Sequence, residues 1–309
     1  MKAGLHIALV TPFSWSAPSA VNQHVADLAL ELKARGHFPV IVTSSDDRRD
    51  VDRVHGLFRR HRGQAVNLLA EYRAGLPAQE LLLPQTGSGS LGPEAGIPVV
   101  PIGSSFPVRL NGGVANVGLP VDVTSRVERL MLGGDFDLVH VHEPMAPSLS
   151  FTALRESRSP VVGTFHLTPV GVAAYEMGQA VLDRFLDRLD ARIVTFPHGV
   201  EMMADLYPGD YQVISCGTGL SLGAPRSDAA AQLTEESGPS GPSKSVNPFA
   251  LYVYRGDARR SYRALLRALS TEFPDEVARV VVALHRGSVE RWLPKPTPRK
   301  LRDRVGLSE

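Results

Sequence analysis

The stretch 5-LHIALVTPFSWSAPSAVNQHVADLALELKARG-36 contains the pattern that decides the fold. Leu5–Val10 is a short apolar run, which is typical of a buried parallel strand. After a loop, apolar residues recur at helical spacing until Gly36, where a helix is expected to end; they are Val21, Val25, Leu28, Ala29 and Leu32. A strand that leads through a loop into a helix N-terminus creates an anion-binding site from backbone N–H groups and the helix dipole.

The same alternation of short strands and helices continues over the first 220 residues. A helix is predicted over Val172–Leu189, because its apolar residues follow i, i+3, i+4 and i+7 spacing. The alternation predicts an α/β fold, a Rossmann-like doubly wound parallel sheet that binds ligands at the carboxyl ends of its strands. The predicted strands are Leu5–Val10, Phe38–Thr43, Ile97–Ile102, Phe136–His142, Pro160–His166, Ala191–Phe196 and Tyr211–Ser215.

The composition excludes several classes of function. Lys and Arg number 33 and Asp and Glu 32, and the resulting net charge of +1 argues against nucleic acid as a partner. The single cysteine, Cys216, cannot form an internal disulfide, which fits a reducing compartment. No apolar run approaches the ~20 residues of a membrane helix, and the N-terminus lacks a signal-peptide pattern. We therefore expect a cytoplasmic protein, with at most weak peripheral contact at the inner face of a membrane.

Two segments interrupt the alternating pattern. Residues 45–95 are predicted to be an insertion, in which an Arg-rich helical piece precedes the loop 86-TGSGSLG-92. A solvated insertion is the first interpretation, while a lid or an anionic-membrane patch remains open. Residues 221–248 lack apolar periodicity and are predicted to be a flexible linker. The chain is thereby divided into a domain over 1–220, the linker, and part of a second α/β unit over 249–309.

Polar residues follow three of the predicted strands, and we expect them to share one crevice. They lie in the opening loop and its helix (Ser14, Ser16, Ser19, Asn22 and His24), in 140-HVHEP-144 and in 163-GTFHLTP-169. The His-x-His-Glu sequence of the second loop suits zinc, but no further ligand follows at a recognisable spacing, so no metal is expected. His166 is equally well explained as a buried core histidine.

Other catalytic classes lack their motifs. No Gly-x-Ser-x-Gly elbow joins a strand to a helix, which argues against a serine hydrolase. The opening loop has neither the glycines of a dinucleotide fingerprint nor the lysine of a P-loop, so a nicotinamide cofactor or ATP is not expected.

Four segments together resemble a known family. They are 11-TPFSWSAPSAVNQHVADLALELKARGH-37, 107-PVRLNGGVANVGLP-120, 134-GDFDLVHVHEPMAPSLS-150 and 163-GTFHLTP-169. Their order and content resemble the acceptor domain of family-4 retaining glycosyltransferases, especially the actinobacterial phosphatidylinositol mannosyltransferase group. The resemblance covers residues 1–220 apart from the insertion.

The resemblance implies an enzyme of two Rossmann domains that transfers a sugar with retention. The sugar, with mannose as the first candidate, would pass from a nucleotide-sugar to a hydroxyl of a polar or lipid-linked acceptor, for example an inositol-type compound. Neither a metal nor a cofactor is implied, since the co-substrate is the nucleotide-sugar itself, with GDP-mannose as the first candidate. The acceptor would bind the N-terminal domain and the donor the C-terminal domain.

The resemblance also implies roles for individual residues. His166 matches a histidine near the transferred sugar, and His166 and Glu143 are the predicted catalytic residues. The predicted acceptor-binding residues are Phe13, Asn22, Asn111, His142 and Thr168. Asn116 stands where the group has a basic residue, and 124-TSRVERLML-132 stands where it has a lysine-rich membrane-binding helix.

On the donor side, the resemblance concerns Ser19, Ala20, Arg255 and Arg260. The group has two glycines in the opening loop, where backbone amides approach the diphosphate. Ser19 and Ala20 occupy those positions, and we expect their Cβ atoms and their restriction of positive φ to hinder that approach. In 254-YRGDARRSYRALLRAL-269, Arg255 and Arg260 match cations that stabilise the leaving diphosphate. Residues 249–309 are too few for a complete Rossmann domain, so a truncated donor domain is expected.

Two functions from different classes remain open from the sequence. The first is an active transferase, either sufficient as it stands or completed by a second chain or by homo-oligomerisation. The second is a non-catalytic descendant that keeps the acceptor crevice as a ligand-binding or scaffolding module. Binding of a nucleotide-sugar would distinguish the two.

Overall fold

A computed structural model describes residues 4–17, 19–60, 64–83, 91–110, 113–118, 124–145, 149–167 and 184–217, together with Arg267 and three later strands. Contacts divide the chain into two compact units, Met1–Leu220 and Ser221–Glu309. Most of the predicted loop 86–92, the predicted linker 221–248 and most of the predicted helix 172–189 lie outside the described residues.

The first unit alternates strands and helices. Its strands are β1 His6–Ser14, β2 Phe38–Ser45, β3 Val99–Leu110, β4 Gly113–Gly118, β5 Leu138–His142, β6 Val161–Phe165, β7 Ala191–Val194 and β8 Gln212–Val213. Its helices are α1 Ala20–Ala34, α2 Arg48–Arg60, α3 Gln64–Arg73, α4 Thr124–Gly133, α5 Leu149–Glu156 and α6 His198–Leu206. Two short 3-10 helices, Gln79–Leu81 and Pro93–Ala95, lie between α3 and β3.

Within the described residues, seven strands of this unit run parallel in the order β3–β2–β1–β5–β6–β7–β8. On one side of β1, His6 lies opposite Phe38 of β2; on the other side, Ile7 lies opposite Leu138 of β5. From β1 the strand order proceeds through β2 to β3 on one side of the sheet. From β5 it proceeds through β6 and β7 to β8 on the other side. Such a reversal marks the crevice where doubly wound sheets bind ligands. The predicted Rossmann-like α/β class is confirmed.

The parallel sheet is buried on both faces, as its strand pattern requires. In β1, Ala8 and Val10 belong to one hydrophobic cluster, and Ile7 and Leu9 belong to another. Successive side chains of a strand point to opposite faces, so the two clusters cover the two faces of the sheet. Because neither face of β1 is exposed to water, the sequence of β1 is an almost continuous run of apolar residues.

Strand β4 was not predicted, and β3 extends beyond its predicted end. The two strands form an antiparallel hairpin in which Ser105 lies opposite Gly118 and Leu110 opposite Gly113. The end of this hairpin away from its turn touches β1, where Phe13 lies opposite Val117. Glycine, serine and asparagine interrupt the apolar alternation over residues 103–118, so the sequence carried little strand signal there.

The expectation of a solvated insertion over 45–95 is wrong for helices α2 and α3. One face of each helix packs into the core, through Val54 and Phe58 of α2 and Leu69 and Tyr72 of α3. The opposite face of α2 carries exposed arginines, among them Arg48, Arg49 and Arg53, and these dominate the sequence pattern. The two helices therefore cover the sheet between β2 and β3, as crossover helices do in this fold.

The second unit contains a parallel sheet in the order β11–β10–β9 among the described residues. Strands β9 Phe249–Tyr254 and β10 Arg279–Leu284 lie in the segment predicted to be part of a second α/β unit. Strand β11 Val305–Ser308 was not predicted, because the segment around it is polar and rich in proline.

Candidate functional site

The N-terminus of α1 follows β1 at the switch point of the sheet. Ser19 is the N-cap residue, and its hydroxyl oxygen accepts a 3.4 Å hydrogen bond from the backbone N–H of Asn22. The Ser19 backbone is extended, with φ −149° and ψ 130°, a conformation open to any residue. The expected restriction of positive φ therefore does not apply to Ser19. Instead, the Ser19 hydroxyl occupies the Asn22 N–H, a first-turn group that an anion would otherwise bind.

Asn22 fixes the opening loop against the start of α1. Its side-chain oxygen accepts a 2.7 Å hydrogen bond from the Thr11 hydroxyl, and its amide nitrogen donates to the Ser14 carbonyl at 2.7 Å. Phe13, near the end of β1, and Trp15, in the loop after it, are buried in the hydrophobic core. These contacts hold the loop against the start of α1. The predicted acceptor contacts of Phe13 and Asn22 stay predictions.

His142 and His166 extend the site from the ends of β5 and β6. His142 Nδ1 lies 2.9 Å from His166 Nε2, within hydrogen-bond distance, and the two rings are stacked with centroids 5.2 Å apart. His142 is fully buried and His166 is partly buried. These side chains therefore meet beside the switch point, as expected from the strand order.

The backbone turns sharply immediately after both histidines. Glu143 follows His142 with φ 51°, and Leu167 follows His166 with φ 54°. Positive φ is uncommon outside glycine and is frequent at functional sites, where surrounding structure enforces it. Glu143 is completely buried, and its backbone N–H donates a 2.8 Å hydrogen bond to the Thr164 carbonyl.

His24 joins this pair from the second turn of α1. Its ring centroid lies 5.6 Å from that of His142 and 5.3 Å from that of His166, in edge-to-face contacts. His140 stacks on the other side of His142, with centroids 4.5 Å apart, and its Nε2 lies 2.7 Å from the Thr164 hydroxyl. The three polar loops predicted from the sequence therefore converge on one group of imidazoles.

Burial keeps these imidazoles neutral. Removal from water, with a smaller contribution from neighbouring histidines, lowers the pKa of His166 to about 3 and the pKa of His140 to about 4. The same desolvation holds the pKa of His142 well below its usual value. Burial also lowers the pKa of His24, against the opposing charge of Asp27. At neutral pH each ring therefore offers one N–H donor and one nitrogen lone pair.

His24 lies beside the strand-end histidines, as expected from the sequence, but a geometry suited to metal binding was not predicted. One ring nitrogen from each of His24, His142 and His166 lies within 4.8 Å of the others, which is close enough for the three to hold a metal ion. The sequence showed no third ligand because these residues come from separate elements rather than from one local motif. Cys216 was not assigned to the site either; its Sγ lies 3.9 Å from His166 Nδ1.

Several predicted site residues lie outside the described part of the chain. They are Asn111 and Thr168 on the acceptor side and Arg255 and Arg260 on the donor side, and the Asn116 side chain is likewise not described. Ala20, the remaining predicted donor residue, is the exposed first residue of α1.

Residues 21–222 match the sequence profile of Glycosyltransferase Family 4, a span that covers more than half of the chain. The chain belongs to glycosyltransferase family 4. The match contains α1, β5 and β6, and with them all four histidines of the cluster. The resemblance inferred from the motifs is confirmed at the level of the family.

Curated relatives within this family carry a common name. Phosphatidyl-myo-inositol mannosyltransferase of Mycobacterium leprae is 31% identical over 191 residues, which are 61% of this chain and 39% of the relative. The protein of that name from Propionibacterium freudenreichii subsp. shermanii is 29% identical over 218 residues, 71% of this chain and 47% of the relative. The chain thus spans less than half the length of these relatives.

A solved structure supports the fold alone. A glycosyltransferase from Rickettsia africae aligns with a TM-score of 0.50 at 11% identity, covering 98% of this chain and 68% of that one. In the described residues, no helix is both long and apolar enough to span a membrane.

Proposed function

We propose that this family-4 chain transfers a sugar, with retention, from a nucleotide-sugar to a hydroxyl group of an acceptor bound at the switch-point crevice. The observation that carries the proposal is the convergence of the α1 N-terminus with His142, Glu143 and His166 beside β1, β5 and β6. Mannose and GDP-mannose are the first candidates, because the curated relatives bear the name mannosyltransferase. The named relatives likewise make an inositol-type or lipid-linked acceptor the first one to test.

The α1 N-terminus is proposed to hold negative charge of the donor. Helix N-termini stabilise anions through their free N–H groups and the helix dipole. Ser19 already accepts from one of these N–H groups, at the long distance of 3.4 Å. A diphosphate oxygen would therefore compete with a weak internal hydrogen bond rather than with a strong one.

His166 is proposed to bind a hydroxyl of the transferred sugar. With its pKa lowered to about 3 by burial, the imidazole is neutral at physiological pH. It can donate or accept a hydrogen bond there, but it has no acidic proton to give to a leaving group. His142, 2.9 Å away, fixes the orientation of the ring. We therefore expect His166 to position the sugar and not to protonate the diphosphate.

Glu143 is proposed to act on the charge that develops at the sugar. Sugar transfer passes through a transition state in which the anomeric carbon gains positive charge. The carboxyl oxygens of a residue held away from water act on such charge more strongly than they would in water. The enforced φ of 51° at Glu143 is consistent with a residue held for function rather than for packing.

Acceptor binding is proposed at the wall formed by Phe13, Asn22 and His142, with Asn111 and Thr168 as further contacts. A lipid-linked acceptor would place the protein at the inner face of a membrane as a peripheral protein, with a nucleotide-sugar as its second small-molecule partner.

The proposal is tested by incubating the chain with radiolabelled GDP-mannose and phosphatidylinositol vesicles, and with UDP-glucose as a second donor. Transfer of label to lipid is expected, together with its loss in His166→Ala. The exposed His198, which pairs with Glu201 on α6, supplies the control variant His198→Ala, which should keep the activity. Equal activity of the two variants would contradict the role of His166.

A calorimetric titration with GDP and UDP then separates the two functions that the sequence left open. Nucleotide binding without label transfer would indicate a transferase that needs a second chain. If neither nucleotide binds but inositol phosphate does, the result would favour the ligand-binding module instead. Neither result would affect the family assignment.

A further inference from the structure

We propose that His24, His142 and His166 form a binding site for one divalent transition-metal ion, with Zn²⁺ as the representative ion. When the ion is bound, His142 Nδ1 and His166 Nε2 coordinate it instead of bonding to each other, and His166 then holds the ion rather than a sugar hydroxyl. Neither the family match nor the curated relatives assign such a site.

The geometry of the three rings fits a tetrahedral ion. Zn²⁺ binds imidazole nitrogen at about 2.0–2.1 Å, so the ion lies about 3.2 Å from a ring centroid, and tetrahedral angles then place two centroids about 5.2 Å apart. The three observed centroid separations are 5.2, 5.3 and 5.6 Å. The rings thus form a nearly equilateral triangle of the size that a shared ion requires.

The ligand nitrogens need only small movements to meet an ion. Two nitrogens bound to one tetrahedral ion lie about 3.4 Å apart. His142 Nδ1 and His166 Nε2 are 2.9 Å apart, and one nitrogen from each of the three histidines lies within 4.8 Å of the others. Rotation of the half-buried His24 side chain on α1 would bring its nitrogen to the remaining corner.

An ion would replace one hydrogen bond of the cluster. His142 Nδ1 and His166 Nε2 lie within hydrogen-bond distance of each other, and both would turn to the ion instead. His142 Nε2, the other nitrogen of that ring, is buried without a hydrogen-bond partner among the described residues. Imidazole coordinates metal ions through a nitrogen of its neutral form. Ions of the late first row, among them Zn²⁺, prefer such neutral nitrogen ligands.

The surroundings match those of other histidine-bound ions. A metal-binding histidine generally offers its second nitrogen to a neighbouring group that fixes the ring. Cys216 Sγ, 3.9 Å from His166 Nδ1, occupies such a position, on the side of the ring away from His142. Three protein ligands leave a fourth position open, as in catalytic zinc sites. We assign Cys216 to ring orientation and not to coordination.

The first experiment is a Zn²⁺ titration of the untagged, chelator-treated 309-residue chain against a chromophoric chelator, with metal analysis after dialysis. One ion per chain is expected. His24→Ala should weaken the affinity more than about 10-fold, since even supporting residues of metal sites change affinity by that factor. His198→Ala, which removes an exposed histidine outside the cluster, should leave it unchanged. Retained affinity in His24→Ala, or equal loss in both variants, would overturn the proposal.

Co²⁺ substitution tests the same site without any variant, in case His24→Ala does not fold. A tetrahedral Co²⁺ site gives intense visible absorption, and displacement by Zn²⁺ should abolish it. A weak, octahedral-type spectrum would overturn the proposal. A thiolate charge-transfer band that disappears in Cys216→Ser would likewise overturn the three-histidine assignment, because it would make Cys216 a ligand.

Discussion

Restoring glycine at both positions of the α1 N-terminus should strengthen nucleotide-diphosphate binding. In Ser19→Gly/Ala20→Gly, the Asn22 N–H loses its 3.4 Å bond to the Ser19 hydroxyl and becomes available to a phosphate oxygen. A hydrogen bond to a charged group contributes about 1.5–3 kcal/mol. The bond that is replaced is long and therefore weak, so most of this gain should appear. We expect GDP affinity to rise by at least about 10-fold.

The same variant should lose some stability. Replacing an N-cap serine by glycine costs only a few tenths of a kcal/mol, and glycine in place of alanine within a helix costs about 1 kcal/mol. The cost of glycine at position 20 is smaller than this, because Ala20 is the first residue of α1 and not in its interior. A melting temperature about 2–4 °C lower is expected for a unit of this size. Calorimetric titration with GDP and a thermal melt measure the two effects on one sample.

Ser19→Ala separates the two explanations for the gain. It removes the capping hydroxyl but keeps the Cβ atom, so it frees the same N–H without opening more space. If hydrogen-bond competition limits binding, Ser19→Ala should bind GDP more tightly than the natural chain does; if the Cβ atoms limit it, only the glycine pair should. Unchanged affinity in both variants would refute the reasoning, because neither feature of the loop would then control diphosphate binding.

Three further predictions concern the stability of the first unit, measured by urea denaturation. A Cβ atom at Gly163 would lie 2.9 Å from a Leu189 methyl carbon, so Gly163→Ala should cost about 1–3 kcal/mol, whereas Gly217→Ala, with open space around it, should be neutral. The buried Tyr72 hydroxyl has no hydrogen-bond partner among the described residues, so Tyr72→Phe should be neutral or stabilising; a loss above about 1 kcal/mol would contradict this. Asp137 accepts hydrogen bonds from a backbone N–H and from an arginine, and Asp137→Ala should cost about 1 kcal/mol.

The fold was predictable where burial produces a recognisable run or spacing of apolar residues along the sequence. Strand β1 is buried on both faces, so Ile7–Val10 is apolar throughout, and the run is visible without any knowledge of the partners. Helix α2 has a weaker apolar signal for the converse reason. Its exposed face carries several arginines, and these obscure the narrower apolar stripe that includes Val54 and Phe58.

The site was predictable only as far as chain order determines it. His142 and His166 end neighbouring parallel strands, and such ends always meet, so their proximity follows from topology. The place of His24 depends on how α1 is rotated over β1 and β5. That rotation is determined by packing between distant residues such as Val25 and Ile41, which lie in one hydrophobic cluster. No local spacing encodes it, so the third metal-binding side chain could not be recognised from the sequence.

The anion site and the proposed ion site lie on successive turns of one helix, and this links them electrostatically. The α1 dipole that favours an anion at Ser19 disfavours a cation near His24, by about 0.3–1 kcal/mol for a unit charge. An anion bound at the first turn would offset that term, so each ligand should strengthen binding of the other. If Zn²⁺ binds more tightly in a buffer that contains a weakly coordinating anion such as sulfate, the gain would reflect this coupling and not a change in the residues that coordinate the ion. Zinc titrations of this chain therefore need to be compared at constant anion concentration, so that the loss seen in His24→Ala reports on the imidazole alone.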